Sequence, residues 1–563
     1  MKQLVCLLLL MLSISDRSQS LPWLWADKSS ASDLDQDILS IDADSAGNTC
    51  VAGGFVASYT PFVLGSYTLV SDGIEDGFFA KYDTYGNVLW AKNLGKAVLS
   101  TCSDIQFDLH GNIYIVGSFV GKSIKIDSTI YYNPDTIVGS STNFFLIKTD
   151  PAGNVLWIKS SSRGNTNFSY PKLTVINNGV IVTGTFQNQA LIIGSDTLNS
   201  SGSVDIFITK FDENGNILWV KKEGGTGLDV STDISADNSG NFFISGSFAS
   251  PLVNFGTYAL LGPASATSGE LTNFLVKYDS LRNVIWAKGK LDPTADYFLY
   301  VYTAIKTDLL GNVFVAGSFS TSLVLDTYTL SASSQDGFVA KWDAAGNIAW
   351  ASSVGGTLND WFYGITTGRE GNIYVTGKYQ SPLIQVGNSS LTNDTAQHTG
   401  NMFFVIYDTS GQVLGSSSGG SKFSNENAAC IATDAAENIY IGGAFYGDST
   451  AFGAYTLTNS VLGTACFLVK AGGLLATGIQ QIKEDAADVC LYPNPSAGQF
   501  NLVSNKVSIN GCHVEDVHGR VIFTSVFLSA KNISIDIRGN APGLYFVQIT
   551  TPQGGLSKKL VLQ

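Results

Sequence analysis

The sequence predicts an all-β protein: a seven-bladed β-propeller of four-stranded blades, closed by the N-terminal strand, followed by a small C-terminal Ig-like β-sandwich. Three observations predict it. A turn phrase, Asp-x-x-Gly-Asn, returns about every 65 residues. Each copy opens an alternating run that ends in Gly and an aromatic, as in Asn112 to Phe119 and Asn312 to Phe319. A second phrase, with its own Gly-Asn turn and a closing Trp, follows in the same repeats.

Taken from the N-terminus, residues 1–20 read as a secretory signal: Lys2, an apolar run from Leu4 to Ile14, then Ser18-Gln19-Ser20 as a small-x-small cleavage site. That run is shorter than the roughly 20 residues a spanning helix needs, so the mature chain is expected to carry no transmembrane segment. The propeller is assigned to residues 21–470. Its first turn phrase occurs at Asp44 to Asn48, Asp108 to Asn112, Asp237 to Asn241 and Asp308 to Asn312. Degenerate copies lie at Asn177 to Gly179, Gly368 to Asn372 and Asp434 to Asn438, the last with Glu437 in the glycine place. Asp caps such a turn with its carboxylate and Gly supplies the positive φ, so each phrase predicts a β-hairpin. The second phrase, Asp76 to Trp90, recurs as Phe144 to Trp157, Phe207 to Trp219, Phe274 to Trp286 and Phe338 to Trp350. Two hairpins per repeat give four strands, and radial repetition of such units limits exposed sheet edges. The seventh repeat lacks its Trp strand, which Leu24-Trp25-Ala26-Asp27-Lys28 supplies from the mature N-terminus. Residues 471–489 read as a linker. Residues 490–563 hold short alternating strands separated by turn residues, a small sandwich of about 75 residues.

The doublet of turn phrases resembles the bacterial β-propeller repeats labelled SBBP over roughly residues 22–470. That resemblance implies a fold and an extracellular setting, and no particular ligand. The tail, Leu491-Tyr-Pro-Asn-Pro-Ser-Ala-Gly-Gln-Phe500 through Gly543-Leu-Tyr-Phe546 to Lys558-Lys559, resembles the type A C-terminal sorting domain of type IX secretion substrates in Bacteroidetes. It implies export to the outer cell surface, removal of the signal peptide and tail, and the type IX secretion machinery as partner. Carried over by position, the sorting elements are Pro493, Asn494, Pro495, Gly519, Gly543, Tyr545, Lys558 and Lys559; the same residues also suit turn and core places of a sandwich.

Charge and chemistry bound the function. A formal charge of −14, with 14% charged residues, leaves no broad cationic face for nucleic acid. The four histidines, His110, His398, His513 and His518, fall in no metal or triad spacing, so no catalytic residue, metal or cofactor is expected. Asp42-Ala-Asp44 with Gly47 lacks the spacing of a calcium loop and reads as turn capping. Lys81, Lys148, Lys210, Lys277, Lys341 and Lys470 repeat blade by blade, which marks a structural role, and the repeated Trp reads as packing. Cys490 and Cys512 are the candidate disulfide pair; buried free thiols are the other reading. The candidate ligand residues are the irregular aromatics Tyr131, Tyr132, Tyr297, Tyr300, Tyr302, Trp361 and Tyr363, with Asp37, Asp229 and Asp360 entering first strands. Both tight turns of a blade share one face, and the connections on the other run to about 20 to 24 residues, so recognition is expected on that second, variable face. The expected function is adhesion or binding of a glycan or protein. The alternatives are a glycan-active hydrolase or lyase with carboxylates at the axial mouth, or a structural surface component.

Overall fold

A computed structural model describes residues 21–30, 35–56, 61–133, 142–162, 170–187, 190–263, 271–289, 304–393, 399–421, 424–459, 463–473, 489–504, 508–516, 521–551 and 554–563. The signal sequence, most of the linker and Gly519 lie outside them. The chain divides into two compact units, residues 1–471 and 472–563. All regular structure in the described residues is β-strand.

The first unit repeats one element, an antiparallel four-stranded meander. The first meander is Gln36–Ala43, Thr49–Val56, Glu75–Tyr82 and Val88–Asn93. The second begins at Leu99–Phe107, the third at Lys172–Ile176, the fourth at Asp229–Ala236, the fifth at Ala304–Thr307 and the sixth at Asp360–Thr367. The seventh is Asn425–Thr433, Ile439–Tyr446 and Thr464–Ala471, with Trp23–Lys28 as its fourth strand, so Trp25 pairs with Lys470 across the ends of the unit. A single parallel bridge, Glu75 to Leu99, links the first two meanders. The first strand of each meander lies against the first strand of the next, and the seventh against the first. Second and third strands are buried almost throughout, because both faces of each meander are packed against neighbours. That two-sided burial explains strands that read as continuous apolar runs and the low charge of the whole chain.

Polar side chains on the first strands tie neighbours together. Asp42 accepts from the Phe107 N–H (2.9 Å). Asp104 accepts from Ser40 Oγ (2.6 Å) and the Leu173 N–H (2.9 Å), and Asp233 from the Ile305 N–H (2.7 Å). Thr367 Oγ1 donates to Thr307 O and Thr433 Oγ1 to Thr367 O, and from a second strand Tyr440 Oη donates to Gly47 O.

The turns behave as their residues dictate. In Asp44 to Asn48, one carboxylate oxygen accepts from the Ala46 and Asn48 N–H groups and the other from Asn48 Nδ2. The sixth meander has Gly368 where the other five-residue turns have Asp, and its cap is supplied from outside. Glu437, in the seventh turn, accepts from the Glu370 N–H (2.9 Å), Asn372 Nδ2 (3.2 Å) and Tyr374 Oη (2.5 Å). It does so from a left-handed backbone, φ 58°, at the place where the other turns carry Gly.

The described parts of the long connections are paired. Each described one forms a two-residue hairpin arm, such as Phe62–Leu64 with Tyr67–Leu69 and Leu252–Phe255 with Tyr258–Leu261. The arms lie against fourth strands of their own and the preceding meander. Tyr67, Tyr258, Tyr328 and Tyr455 each donate a phenol hydrogen to a fourth-strand carbonyl. The arms thereby cover the outer edges that a sheet must protect.

The second unit packs a three-stranded and a four-stranded sheet around Phe500, Leu502, Val514, Ile535, Val547 and Leu560. Asn494 is bound into it: its Nδ2 donates to Lys559 O (2.6 Å) and its Oδ1 accepts from the Val561 N–H (2.9 Å). Pro493 and Pro495 flank it in cis peptide bonds. Tyr545 is buried and donates to Ala541 O, Gly543 opens its strand, and Lys558 and Lys559 pair with Val547 and Phe546. Cys490 and Cys512 are free thiols, one exposed and one buried.

Candidate functional site

The repeated Lys and Trp form a latch. At five junctions the third-strand lysine and fourth-strand tryptophan of one meander donate to a single carbonyl oxygen in the outer turn of the next. Lys81 and Trp90 meet Pro151 O, both at 3.3 Å; Lys148 and Trp157 meet Glu213 O at 3.3 and 3.0 Å. Lys277 and Trp286 meet Ala344 O at 2.9 and 3.3 Å, and Lys341 and Trp350 meet Thr409 O at 3.2 and 3.1 Å. Lys470 and Trp25 meet Thr84 O at 3.3 and 3.1 Å, joining seventh to first. The approach needs glycine. A Cβ on Gly86, Gly153, Gly215, Gly346 or Gly411 would stand 2.7 to 3.1 Å from the indole it faces, so the rigid ring would have to shift.

Two junctions depart from this rule: the sixth meander has Ile406 and Gly415 in the places of Lys and Trp, and the junction from third to fourth meander keeps both residues without the latch. Its outer turn, Asp279 to Asn283, has Arg282 in the glycine place at φ 74°, and the guanidinium lies over the Trp219 ring, 5.6 Å from its centroid. The turn cannot close onto the indole as its counterparts do. Among the described residues, neither the Lys210 ammonium nor the Trp219 indole N–H has a hydrogen-bond partner, although Ser280 offers the equivalent carbonyl position. The junction is held instead by Tyr278 Oη on Glu223 (3.1 Å) and by Lys221, which pairs with Glu223 (2.7 Å) and sits over the Tyr278 ring.

A departure of another kind lies beside this junction. The first turn of the third meander is Asn177-Asn178, two residues against the five of Asp108 to Asn112 or Asp237 to Asn241. The short turn and the displaced one leave a recess of about 540 Å³ on the tight-turn face, within the usual range for small-ligand pockets. Gln106, Asn178, Lys210, Glu213, Ser280 and Lys306 are among its walls, and Leu109, 90% exposed, stands on its rim.

The charges around it differ in how far they are committed. Asp108 and Asp237 also line the recess, but both carboxylates are taken up by their own turns. Asp42 is pushed up by burial, against the pull of Lys306 and the Phe107 N–H. Burial lowers Lys210 and nothing offsets it, whereas Lys277 has Asp237 and Asp343, and Lys470 has Asp434, to counter the same effect.

The residues predicted from sequence stand elsewhere. Asp229 is buried and closes its own loop: one oxygen accepts from the Gly225 N–H (2.6 Å) and Ser250 Oγ (2.8 Å). Asp360 does the same with the Gly356 N–H (2.8 Å) and Ser381 Oγ (2.7 Å). Asp37, on a different meander, is raised to about 7 by burial, against a bond from the Ile38 N–H, and its Oδ1 has no partner among the described residues. These three carboxylates lie on the first, fourth and sixth meanders. Trp361 and Tyr363 follow Asp360 on one strand, and Trp361 Nε1 donates to Gln335 Oε1 (2.7 Å). Tyr131 and Tyr132 lie on the arm of the second meander, Tyr131 packed inward and Tyr132 76% exposed. Tyr297, Tyr300 and Tyr302 lie outside the described residues. No repeat motif marks the recess; the signals beside it are departures from the repeat, Arg282 in a glycine column and a turn three residues short.

Residues 490–563 match the family model described as a secretion system C-terminal sorting domain. An uncharacterized WD repeat-containing protein of Acanthamoeba polyphaga mimivirus is 25% identical over 470 residues, covering 69% of this chain and 34% of that protein. The regulatory protein FlaEY of Caulobacter vibrioides is 26% identical over 192 residues, 32% of this chain and 20% of FlaEY. The chain thus spans 34% and 20% of the length of these two relatives. Among solved structures, the extracellular domain of a B. thetaiotaomicron hybrid two component system aligns at TM-score 0.21 and 9% identity, over 93% of this chain and 84% of that one. The exotype rhamnogalacturonan lyase YesX aligns at TM-score 0.25 and 8% identity, over 84% and 87%. The sorting domain directs the protein through the type IX system to the cell surface or extracellular space. No helix among the described residues is long and apolar enough to cross a membrane.

Proposed function

We propose that the first unit is a seven-bladed β-propeller closed by residues 23–28, carried by a C-terminal β-sandwich to the cell surface, where it binds a glycan through the recess at the third junction. The meander order, the cyclic contacts of first strands and the N-terminal strand paired beside Thr464–Ala471 support the ring. The observation that carries the function is the one unlatched Lys and Trp pair, whose Lys210 lines a recess of about 540 Å³. This moves recognition from the variable face, where the described parts of the connections are arms packed on sheet edges, to the tight-turn face. We read the site as one of binding because the aspartates that line the recess, Asp42, Asp108 and Asp237, are held by backbone N–H groups, and Asp229 and Asp360, two of the ligand candidates read from the sequence, are held by loop donors. The test is a glycan array with the full chain and with Asn178→Trp, which fills the recess, beside a turnover assay on every retained glycan. Retention that Asn178→Trp abolishes, without turnover, is expected. Retention unaffected by Asn178→Trp would move the site elsewhere, and turnover would replace binding by an enzymatic reading.

A further inference from the structure

Lys210 gives the recess a chemical preference. At five equivalent junctions the same lysine, with its tryptophan, is aimed at one oxygen atom of the next turn. The backbone that places Lys210 is the same: it pairs with Ile181 and Trp219 as Lys148 pairs with Tyr114 and Trp157. Only the acceptor is withdrawn, because Arg282 occupies the place of the packed glycine. Lys210 is half-buried, and no aromatic ring lies beneath its ammonium among the described residues, whereas Lys148, Lys277, Lys341 and Lys470 each sit 4.8 to 5.2 Å from a ring centroid. A second ammonium, Lys306, lines the same recess from the first strand of the fifth meander. Of the acids around them, Asp42, Asp108 and Asp237 already accept from backbone N–H groups, and Glu213 is exposed. Two cations without hydrogen-bonded acceptors, in a polar recess large enough for a sugar, call for an anionic oxygen ligand.

We infer that the recess takes a carboxylate-bearing ligand, the uronate unit of an acidic glycan, with the carboxylate received by Lys210 and Lys306. The inference rests on the reading of the recess as a binding site, and it adds the charge of the ligand. Asn178 is the neutral group placed to meet a hydroxyl, whereas the Gln106 amide is bonded to Leu173 O and the Val175 N–H.

The experiment titrates D-galacturonate, D-galactose and acetate into the full chain by calorimetry or ligand-observed NMR. The three probes separate the carboxylate, the sugar ring and their combination. Galacturonate is expected to bind at least tenfold more tightly than either galactose or acetate, since a charge-assisted hydrogen bond in a partly desolvated site is worth about that factor or more. Lys210→Gln should lower galacturonate affinity about tenfold and leave galactose affinity unchanged. Arg282→Gly restores the glycine of the latch, lets Ser280 O close onto Lys210 and Trp219, and should abolish binding without lowering the melting temperature. Equal binding of galacturonate and galactose, both lost in Arg282→Gly, would overturn the carboxylate inference and keep the recess. Galacturonate binding that survives both Arg282→Gly and Lys210→Gln would overturn the site itself. Failure of galacturonate to bind would overturn the carboxylate inference while the array decides the recess.

Discussion

The cap that Glu437 lends to the sixth meander makes a prediction that no single turn could. Gly368 leaves its own turn without a carboxylate, and Glu437 fills the space: a Cβ on Gly368 would lie 2.6 Å from its Oε1. Glu437→Gly removes three bonds to a charged acceptor, worth about 1.5–3 kcal/mol each before non-additivity, and strands the buried Tyr374 hydroxyl. It also relieves a left-handed non-glycine residue, which returns about 1 kcal/mol. The net expectation is a loss of about 2–4 kcal/mol. Gly368→Asp alone places a second carboxylate against the first and should cost a similar amount. Together they rebuild the arrangement seen in Asp44 to Asn48, with the cap at the turn's own first residue and Gly in the left-handed position. The double variant should therefore lie within about 1 kcal/mol of the parent, a coupling of several kcal/mol. Scanning calorimetry of the four proteins gives the cycle, because a unit of this size shifts by only a degree or two per kcal/mol and the large coupling remains resolvable. Additive losses, with the double variant least stable of all, would refute the cap exchange.

Three other outcomes follow from the same structure. Asp336 is raised to about 6 by burial and by Asp360, and its Oδ1 has no partner among the described residues. Its folded carboxyl holds a proton more tightly than the unfolded chain's, so this contribution is full below about pH 3.8 and is lost as pH rises through about 6. Asp336→Asn, which places here the amide that Asn143 and Asn401 carry at the equivalent positions, should stabilise by about 1–2 kcal/mol at pH 7 and by little at pH 4; melting curves that show the same difference at both pH values would count against it. Deleting residues 21–30 removes the strand paired with Thr464–Ala471 and, in Trp25, one of the two latch donors to Thr84 O, so cooperative unfolding should be lost; an unchanged melting temperature would sink the closure. Truncating residues 490–563 should hold the protein in the periplasm, and normal surface delivery of that truncation would contradict the role of the tail.

The repeat was legible because its turns tolerate few residues: an Asp two and four places before the N–H groups it caps, and Gly at positive φ, recur wherever the backbone bends the same way. Trp23–Lys28 was legible as the fourth strand of the seventh meander for the same reason, since Trp25 repeats the spelling of Trp90. The arms were not. Their connections vary in length, and variation reads as an open rim until Tyr67 or Tyr258 is seen bonding a fourth strand. Asp229 and Asp360 looked available because sequence shows a carboxylate and not the Ser250 or Ser381 that engages it. The outer-turn glycines were read for their φ alone. Their second task, admitting an indole, is visible only in packing, and it is what makes Arg282, set over the Trp219 ring, a break in the latch and not a tolerated variant.

The most direct test of the account is a hydrogen–deuterium exchange footprint of the full chain with and without the glycan it retains. Protection confined to residues 106–110, 175–179, 236–240 and 280–282, and absent in Arg282→Gly, is the predicted result. Protection on the arms, at residues 62–69, 123–132 or 252–261, with the tight-turn face unchanged, would contradict it.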